Sequence, residues 1–337
     1  YNGHKIVVRI AFDVELTVRE LAHQRCNGQH VCRADVSFVR ARVHGNPVRA
    51  SVEDDAGAGN EVWQAVVAAV AKQRDAVDIC REVGHIRSGK GLERGMRTIE
   101  NRNDIVQEMQ AKGFCLVAPA HLEACFGVTP AQLTPLLASW DQLPRDAYLK
   151  DGGKYRSRRH GSFVQTIAPP SLAQVPHRAH WQPVDYNALH GGIERWFEPI
   201  TADVCATAAW QTLLTQVGIV CAAVSPHPQW FIEAHQFRID TAEGIGRPTP
   251  EGAHRDGVDF VAVILVNRRG VKGGESRVFD AHGPNGVRFT LTESWSLLLL
   301  DDARVIHETT PIQPAGEAGV RDTLVLTYRH GSFQDPA

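Results

Sequence analysis

The stretch WFIEAHQFRI, residues 230–239, opens a run of short strand-like segments that continues to Arg329. Its side chains alternate. Ala234, Gln236 and Arg238 share one face of an extended chain, and His235, Phe237 and Ile239 share the other. Further strands are predicted at 258–266, 276–280, 287–291, 295–300, 303–308 and 323–329, separated by turns rich in Gly, Pro and Asn. Many short strands in succession predict a sandwich or barrel of the jelly-roll kind.

Helical patterns come before this run. Asn103 or Asp104 can cap a helix that passes through Ile105 and Met109 to a Lys112-Gly113 stop. Residues 114–117 read as a short buried strand and 119–126 as a helix. A second helix is expected over 129–140, with Thr129 as N-cap and Pro130 at the first helical position. Residues 150–190 read as loop, and 193–217 as one long amphipathic helix. The expected fold class is therefore α+β, a cupin-like jelly-roll core with helices packed on one face.

Residues 1–95 differ in character. The chain begins at Tyr1, and its first methionine is Met96, directly before the patterning becomes clean. One helix is expected over 61–83. His23, Cys26, His30 and Cys32 are close together, but their spacing fits no common zinc pattern. The segment reads as an appended N-terminal extension, non-native or loosely folded, or else as a small domain of its own. Residues 96–337 read as the functional domain.

Composition excludes several classes. The chain has 337 residues, 43% of them hydrophobic, and a formal net charge of −2. That balance gives no argument for nucleic acid or an anionic membrane surface. No apolar run is long enough to span a bilayer. Seven cysteines, an odd number without a CxxC pair, read as reduced thiols of a cytoplasmic protein.

The chemistry is concentrated late in the chain. His254-Arg255-Asp256 stands at the entry to the strand 258–266. His307 follows Asp256 by 51 residues, enough to return on another strand. Two imidazoles and one carboxylate are the ligand set of the facial triad that holds non-haem Fe(II) and leaves positions open. Both places can lie at one mouth of a jelly roll. An HxD alone is common in a chain with 16 histidines; the combination with a distant strand histidine and Arg321 is far more specific. Arg321 begins an apolar strand, with Thr323 on the same face. A guanidinium and a hydroxyl there suit a carboxylate inside a narrow barrel, such as the distal one of the cosubstrate 2-oxoglutarate.

Other polar residues have two readings each. The Gln236 and Arg238 face lines a polar pocket or meets solvent. Glu275, in the turn 273–276, faces substrate or water. The basic run 155–159, which includes Arg156, is a substrate-carboxylate clamp or a solvated loop. A non-redox metal-binding cupin and a Zn(II) hydrolase share the metal ligands, but neither needs Arg321 and Thr323.

The segments HQFRI (235–239), PEGAHRDGVDF (250–260), GGES (273–276), His307 and RDTLVLTY (321–328) resemble the bacterial 2-oxoglutarate/Fe(II) dioxygenases that include L-isoleucine 4-hydroxylase. The resemblance covers about residues 96–333. It implies a double-stranded β-helix, the cofactor Fe(II), consumption of 2-oxoglutarate and O2, and hydroxylation of free aliphatic L-amino acids. It also implies metal-ligand roles for His254, Asp256 and His307, and a 2-oxoglutarate role for Arg321. A free amino acid needs partners for both its charges. Arg238, Arg156 or Arg159 can take the carboxylate, and Glu275 or Asp259 the ammonium. The alternative substrate is a peptide or a modified small acid.

Overall fold

The structure is a computed structural model that describes residues 97–187 and 189–336, with the backbone of 14–17, 39–43 and 46–50. The chain divides into two units, 1–84 and 85–337. In the first, β1 (Val14–Thr17), β2 (Val39–Val43) and β3 (Asn46–Ala50) form an antiparallel sheet in that order. The expected helix over 61–83 and the group His23, Cys26, His30 and Cys32 lie outside the described residues.

The second unit is built on an antiparallel sheet of β4 (Phe114–Val117), β5 (Arg156–Thr166), β6 (Ser171–Gln174), β7 (Gln229–Asp240), β8 (Phe260–Arg269), β12 (Leu297–Asp301) and β15 (Val320–Arg329). Their spatial order is β4-β12-β8-β15-β7-β5-β6. Shorter strands pack across it. β10 (Ser276–Asp280) lies between β11 (Gly286–Phe289) and β13 (Val305–Thr309), and β9 (Val271–Gly273) pairs with β14 (Ile312–Pro314). This is a jelly-roll core.

Alternation along the central strands divides the sheet into two chemistries. Phe260, Ala262, Ile264 and Val266 of β8, with Leu324, Leu326 and Tyr328 of β15, pack with Trp210, Leu214 and Val217 of the helix Ala208–Val224. Their neighbours one residue away point inside the jelly roll. Val261, Val263, Leu298 and Leu300 meet Val278 and Val305 there and close that half with apolar contacts. Towards β7 and β5 the same inner face turns polar. Arg156 and Arg321 flank Ile239, Arg158 and Thr323 flank Phe237, and His160 and Val325 flank His235. This gradient creates a cavity in one half of the roll and a solid core in the other.

Several elements differ from expectation, and the helix expected over 129–140 is a short α-turn, Pro130–Leu133, continued by a 3-10 helix, Thr134–Gln142. The first helix, Arg102–Lys112, is capped by Asn101, whose side chain accepts from the N–H groups of Asn103 and Asp104. The two expected caps are therefore the capped residues. Gly113, at φ 77°, ends the helix in the left-handed conformation as its stop signal predicts. The long helix expected over 193–217 starts only at Ala208, where the Thr207 side chain accepts from Trp210 N–H, after a single turn Ala202–Cys205. The residues before it are held to β5 instead. His160 N–H donates to Glu198 O, and Ile200 N–H donates to His160 O. Finally, the segment expected as loop contains β5 and β6, because the basic run faces the interior and finds buried partners.

Candidate functional site

His254 and His307 meet through the backbone. Each donates its N–H to the other's carbonyl at 3.0 Å, an isolated antiparallel bridge that sets the two rings on one side with centroids 4.6 Å apart. Asp256, two residues on, lies in the loop that enters β8. Its placement comes from Asp302, whose carboxylate accepts from the N–H groups of Asp256, Gly257 and Val258 at 2.9, 2.8 and 3.2 Å. Gly257 turns at φ 75°, and a Cβ there would press on Tyr186 and Gln334. The result is a cluster whose ligand atoms all lie within 4.8 Å of one another. His254 Nε2 is 3.9 Å and His307 Nε2 is 3.7 Å from the Asp256 carboxylate.

The chemistry of this donor set suits a divalent iron. His254 Nδ1 lies 2.9 Å from Gly252 O. With the ring proton on Nδ1 donated to Gly252 O, the Nε2 lone pair on the side of Asp256 is available to a metal ion. Burial raises the Asp256 carboxyl, against the pull of His254, and drives the His307 imidazole well below its usual range. Against its burial, Asp256 and Glu251 raise the His254 imidazole, so the cluster pairs a neutral His307 with a His254 drawn to carboxylates, a site that a cation completes.

Arg321 and Thr323 line the same cavity. Arg321 is 2% exposed, and its Nε and Nη2 have no hydrogen-bond partner among the described residues. Burial and the neighbouring Arg268 pull the guanidinium down to about 10. A buried cation without a counter-ion is costly unless a ligand supplies one. A dicarboxylate reaching from the His–Asp–His cluster to Arg321 meets that demand, so these residues fit 2-oxoglutarate.

The opposite wall is charged and tightly braced. Arg158 is sandwiched between Phe197 and Phe237, its Cζ 3.7 and 4.4 Å from their ring centroids, and its Nη2 is 2.7 Å from His235 Nδ1. Arg156 Nε donates to buried Asp146 at 2.7 Å. Glu233 lies 3.0 Å from His160 Nε2 and 3.2 Å from His180 Nδ1. Burial alone would raise the Glu233 carboxyl, but His180 and His160 hold it below the ordinary range. Burial pulls His180 down to about 3 and lowers His160 and His235 as well.

Of the expected substrate contacts, only Arg156 lines the cavity. Gln236 and Arg238 lie on the other face of β7. Gln236 Nε2 donates to Ser139, and Arg238 is bidentate on Asp322 and paired with Asp141. The polar pocket is lined instead by Glu233, His235, Phe237 and Ile239, the face that looked less polar in the sequence. Arg159 points away from the cavity to Glu198 and Pro199 O. Asp259 is held by His330 N–H and Nδ1, and Glu275 by Arg277, so both are occupied outside the cavity. The sequence reading missed His180, Gln182, Arg195, Glu251 and Asp302. Glu251 is the exception that had a signal, three residues before His254 in the quoted motif.

Fold and site together define a non-haem iron oxygenase that uses 2-oxoglutarate and O2. The signature of the 2OG-Fe dioxygenase family matches residues 137–327, and the chain belongs to that family. A bsmA homolog from Methylobium petroleophilum PM1 is 54% identical; the match covers 72% of this chain and 98% of that one, with a TM-score of 0.69. The IDO structure from Bacillus thuringiensis, at 18% identity, 70% and 100% coverage and TM-score 0.57, shares the fold. So does the Fe(II)/α-ketoglutarate-dependent dioxygenase TqaL, at 19% identity, 68% and 86% coverage and TM-score 0.53. No curated protein matches the chain. No helix among the described residues is long and apolar enough to cross a membrane.

Proposed function

We propose that this enzyme hydroxylates an unactivated C–H of a free L-amino acid, with aliphatic side chains favoured, as the resemblance to L-isoleucine 4-hydroxylase implies. His254, Asp256 and His307 hold Fe(II), while Arg321 and Thr323 take the far carboxylate of 2-oxoglutarate. The observation that carries this assignment is the partnerless buried guanidinium of Arg321 in the same cavity as the His–Asp–His cluster. When bound, Fe(II) and 2-oxoglutarate activate O2 for hydroxylation and release succinate and CO2. The chain supplies orientation and exclusion of water. Gly252 O holds the His254 ring, Asp302 holds the Asp256 loop, and the braced wall presents fixed charges to the substrate.

A small substrate accords with the buried charges of both signs that line the cavity. A second reading, a peptide or larger acid, is favoured by the exposed Val184, Ile193, Trp196 and Ile245; the first three belong to the segment that also brings Gln182 and Arg195 to the wall. Succinate formation with Fe(II), ascorbate and O2 across a panel of L-amino acids separates the two. Stimulation by an amino acid with a product heavier by one oxygen supports the first. Slow succinate formation that no amino acid stimulates refutes it.

We also infer that 96–337 is the catalytic domain and that 1–95 is an appended extension. The 54% identical relative is matched over 98% of its length by 72% of this chain, which supports that division. Limited proteolysis should leave an active fragment starting near residue 96. Buried, unbridged Cys115, Cys125, Cys205 and Cys221 accord with a cytoplasmic location.

A further inference from the structure

Four guanidiniums line the cavity, those of Arg156, Arg158, Arg195 and Arg321. Three carboxylates line it with them, Glu233, Glu251 and Asp256, and buried Asp146 stands behind Arg156 as the fourth. Burial keeps the neighbouring imidazoles of His180 and His235 neutral. The wall therefore presents fixed charges of both signs, and a zwitterion is a guest that can meet both.

Most of these charges already have partners. Arg156 is tied to Asp146, and Glu233 to His160 and His180. Arg195 and Glu251 are incompletely used. Arg195, 2% exposed, donates from Nη2 to Gln182 Oε1 at 2.9 Å, while its buried Nε has no partner among the described residues. Arg158 Nε is likewise buried without a partner, in a guanidinium already fixed between two rings. On the acidic side, Glu251 Oε2 is buried and unmatched, and its Oε1 lies 3.6 Å from His254 Nε2. A buried donor and a buried acceptor left open in one cavity call for a ligand carrying the complementary groups.

We propose that Arg195, backed by Arg158, binds the carboxylate of an α-amino acid substrate and that Glu251 binds its ammonium. This rests on the amino acid reading above and names the residues that enforce it. None of the three is an iron ligand or a 2-oxoglutarate contact in that reading. They are specificity residues. They decide that the guest is an amino acid, and by holding its head they decide which side-chain carbon stands before the iron.

The test compares L-isoleucine with 2-methylbutylamine, which lacks the carboxylate, and with 3-methylpentanoate, which lacks the ammonium. If another amino acid stimulates best, it is used with its own amine and acid. Each is assayed by kcat/KM for succinate formation and by calorimetric binding to protein loaded with Mn(II) and 2-oxoglutarate. Wild type should prefer the amino acid over both analogues by about 10- to 100-fold, the scale of a charge-assisted bond. Arg195→Gln should lose that preference over the amine, and Glu251→Gln its preference over the acid. In both, the KM for 2-oxoglutarate and the bound iron should stay as in wild type.

Several results overturn the assignment. Wild type that turns over amine and amino acid equally overturns it whether or not any variant folds. So does an Arg195→Gln protein that keeps full discrimination. Loss of iron from Glu251→Gln would move that carboxylate to the metal. An enzyme stimulated by no amino acid at all refutes the amino acid reading itself, which is a different outcome from amino acid turnover that ignores Arg195 and Glu251.

Discussion

Replacing Arg321 with Met should stabilise the ligand-free protein while disabling it. The guanidinium is buried, its Nε and Nη2 have no partner among the described residues, and it is held at about 10 against an ordinary 12.5. At about 1.4 kcal/mol per pH unit, that difference sets the cost of its charged form at ~3 kcal/mol in the ligand-free fold, an order-of-magnitude figure. Met keeps much of the stem's volume and removes the charge. Ligand-free Arg321→Met should therefore melt higher, by roughly 2–4 °C for each kcal/mol recovered. The same substitution removes the proposed partner of the 2-oxoglutarate carboxylate. Two charge-assisted bonds of about 1.5–3 kcal/mol each predict a rise in the KM for 2-oxoglutarate on the order of 100-fold or more. Differential scanning fluorimetry, without ligand and with Mn(II) plus 2-oxoglutarate, reads both effects. Wild type should gain melting temperature from 2-oxoglutarate and the variant should not. A variant that melts lower without ligand and responds to 2-oxoglutarate as wild type does would refute the reasoning, because Arg321 would then be structural.

His307→Ala should weaken iron binding by more than about 100-fold, measured by elemental analysis, since on the proposed assignment it removes a ligand rather than an outer partner; retention of stoichiometric iron would remove His307 from the metal set. Stability should fall on acidification. Burial pulls His180 to about 3 and lowers His160 and His235, while their unfolded forms protonate near 6.5. The unfolded chain therefore binds more protons below about 6.5, so stability is full above that pH and is lost as pH falls from there, at ~1.4 kcal/mol per pH unit for His180 down to about 3, with His160 and His235 acting in the same direction. Urea midpoints at pH 7.5 and 5.5 that coincide would contradict these neutral imidazoles. Trp140→Ala should cost about 3–5 kcal/mol in chemical denaturation, because the side chain is 1% exposed and its Nε1–H donates to both Phe237 O and Thr323 O behind the cavity wall.

The jelly roll was legible because the chain after residue 229 breaks into short strand-like runs separated by Gly, Pro and Asn, and because 230–239 alternates, a period of two that states which residues share a face. The stop at Gly113 and the N-cap at Thr129 were legible because they depend on neighbours within a few residues. The motif around His254 and Asp256 named its candidates by residue type and spacing. What alternation cannot state is which face looks inward. On β7 the face with Gln and Arg looked like the pocket, yet Arg238 finds Asp322 and Asp141, and Gln236 finds Ser139, in contacts that span 84 to 97 residues of chain.

The sequence by itself determined the late run of strands, the family and the candidate iron ligands, because local periodicity and ligand chemistry are carried by the residues themselves. The tertiary structure alone decided the rest. It joined His254 to His307 through a two-bond bridge, set Asp256 by the carboxylate of Asp302, and buried the basic run of β5 as a wall. It also brought Arg195 and Glu251, 56 positions apart, into one cavity with open hydrogen-bonding atoms. Whether a charge is satisfied depends on what lies across the space in front of it, and only the fold defines that space.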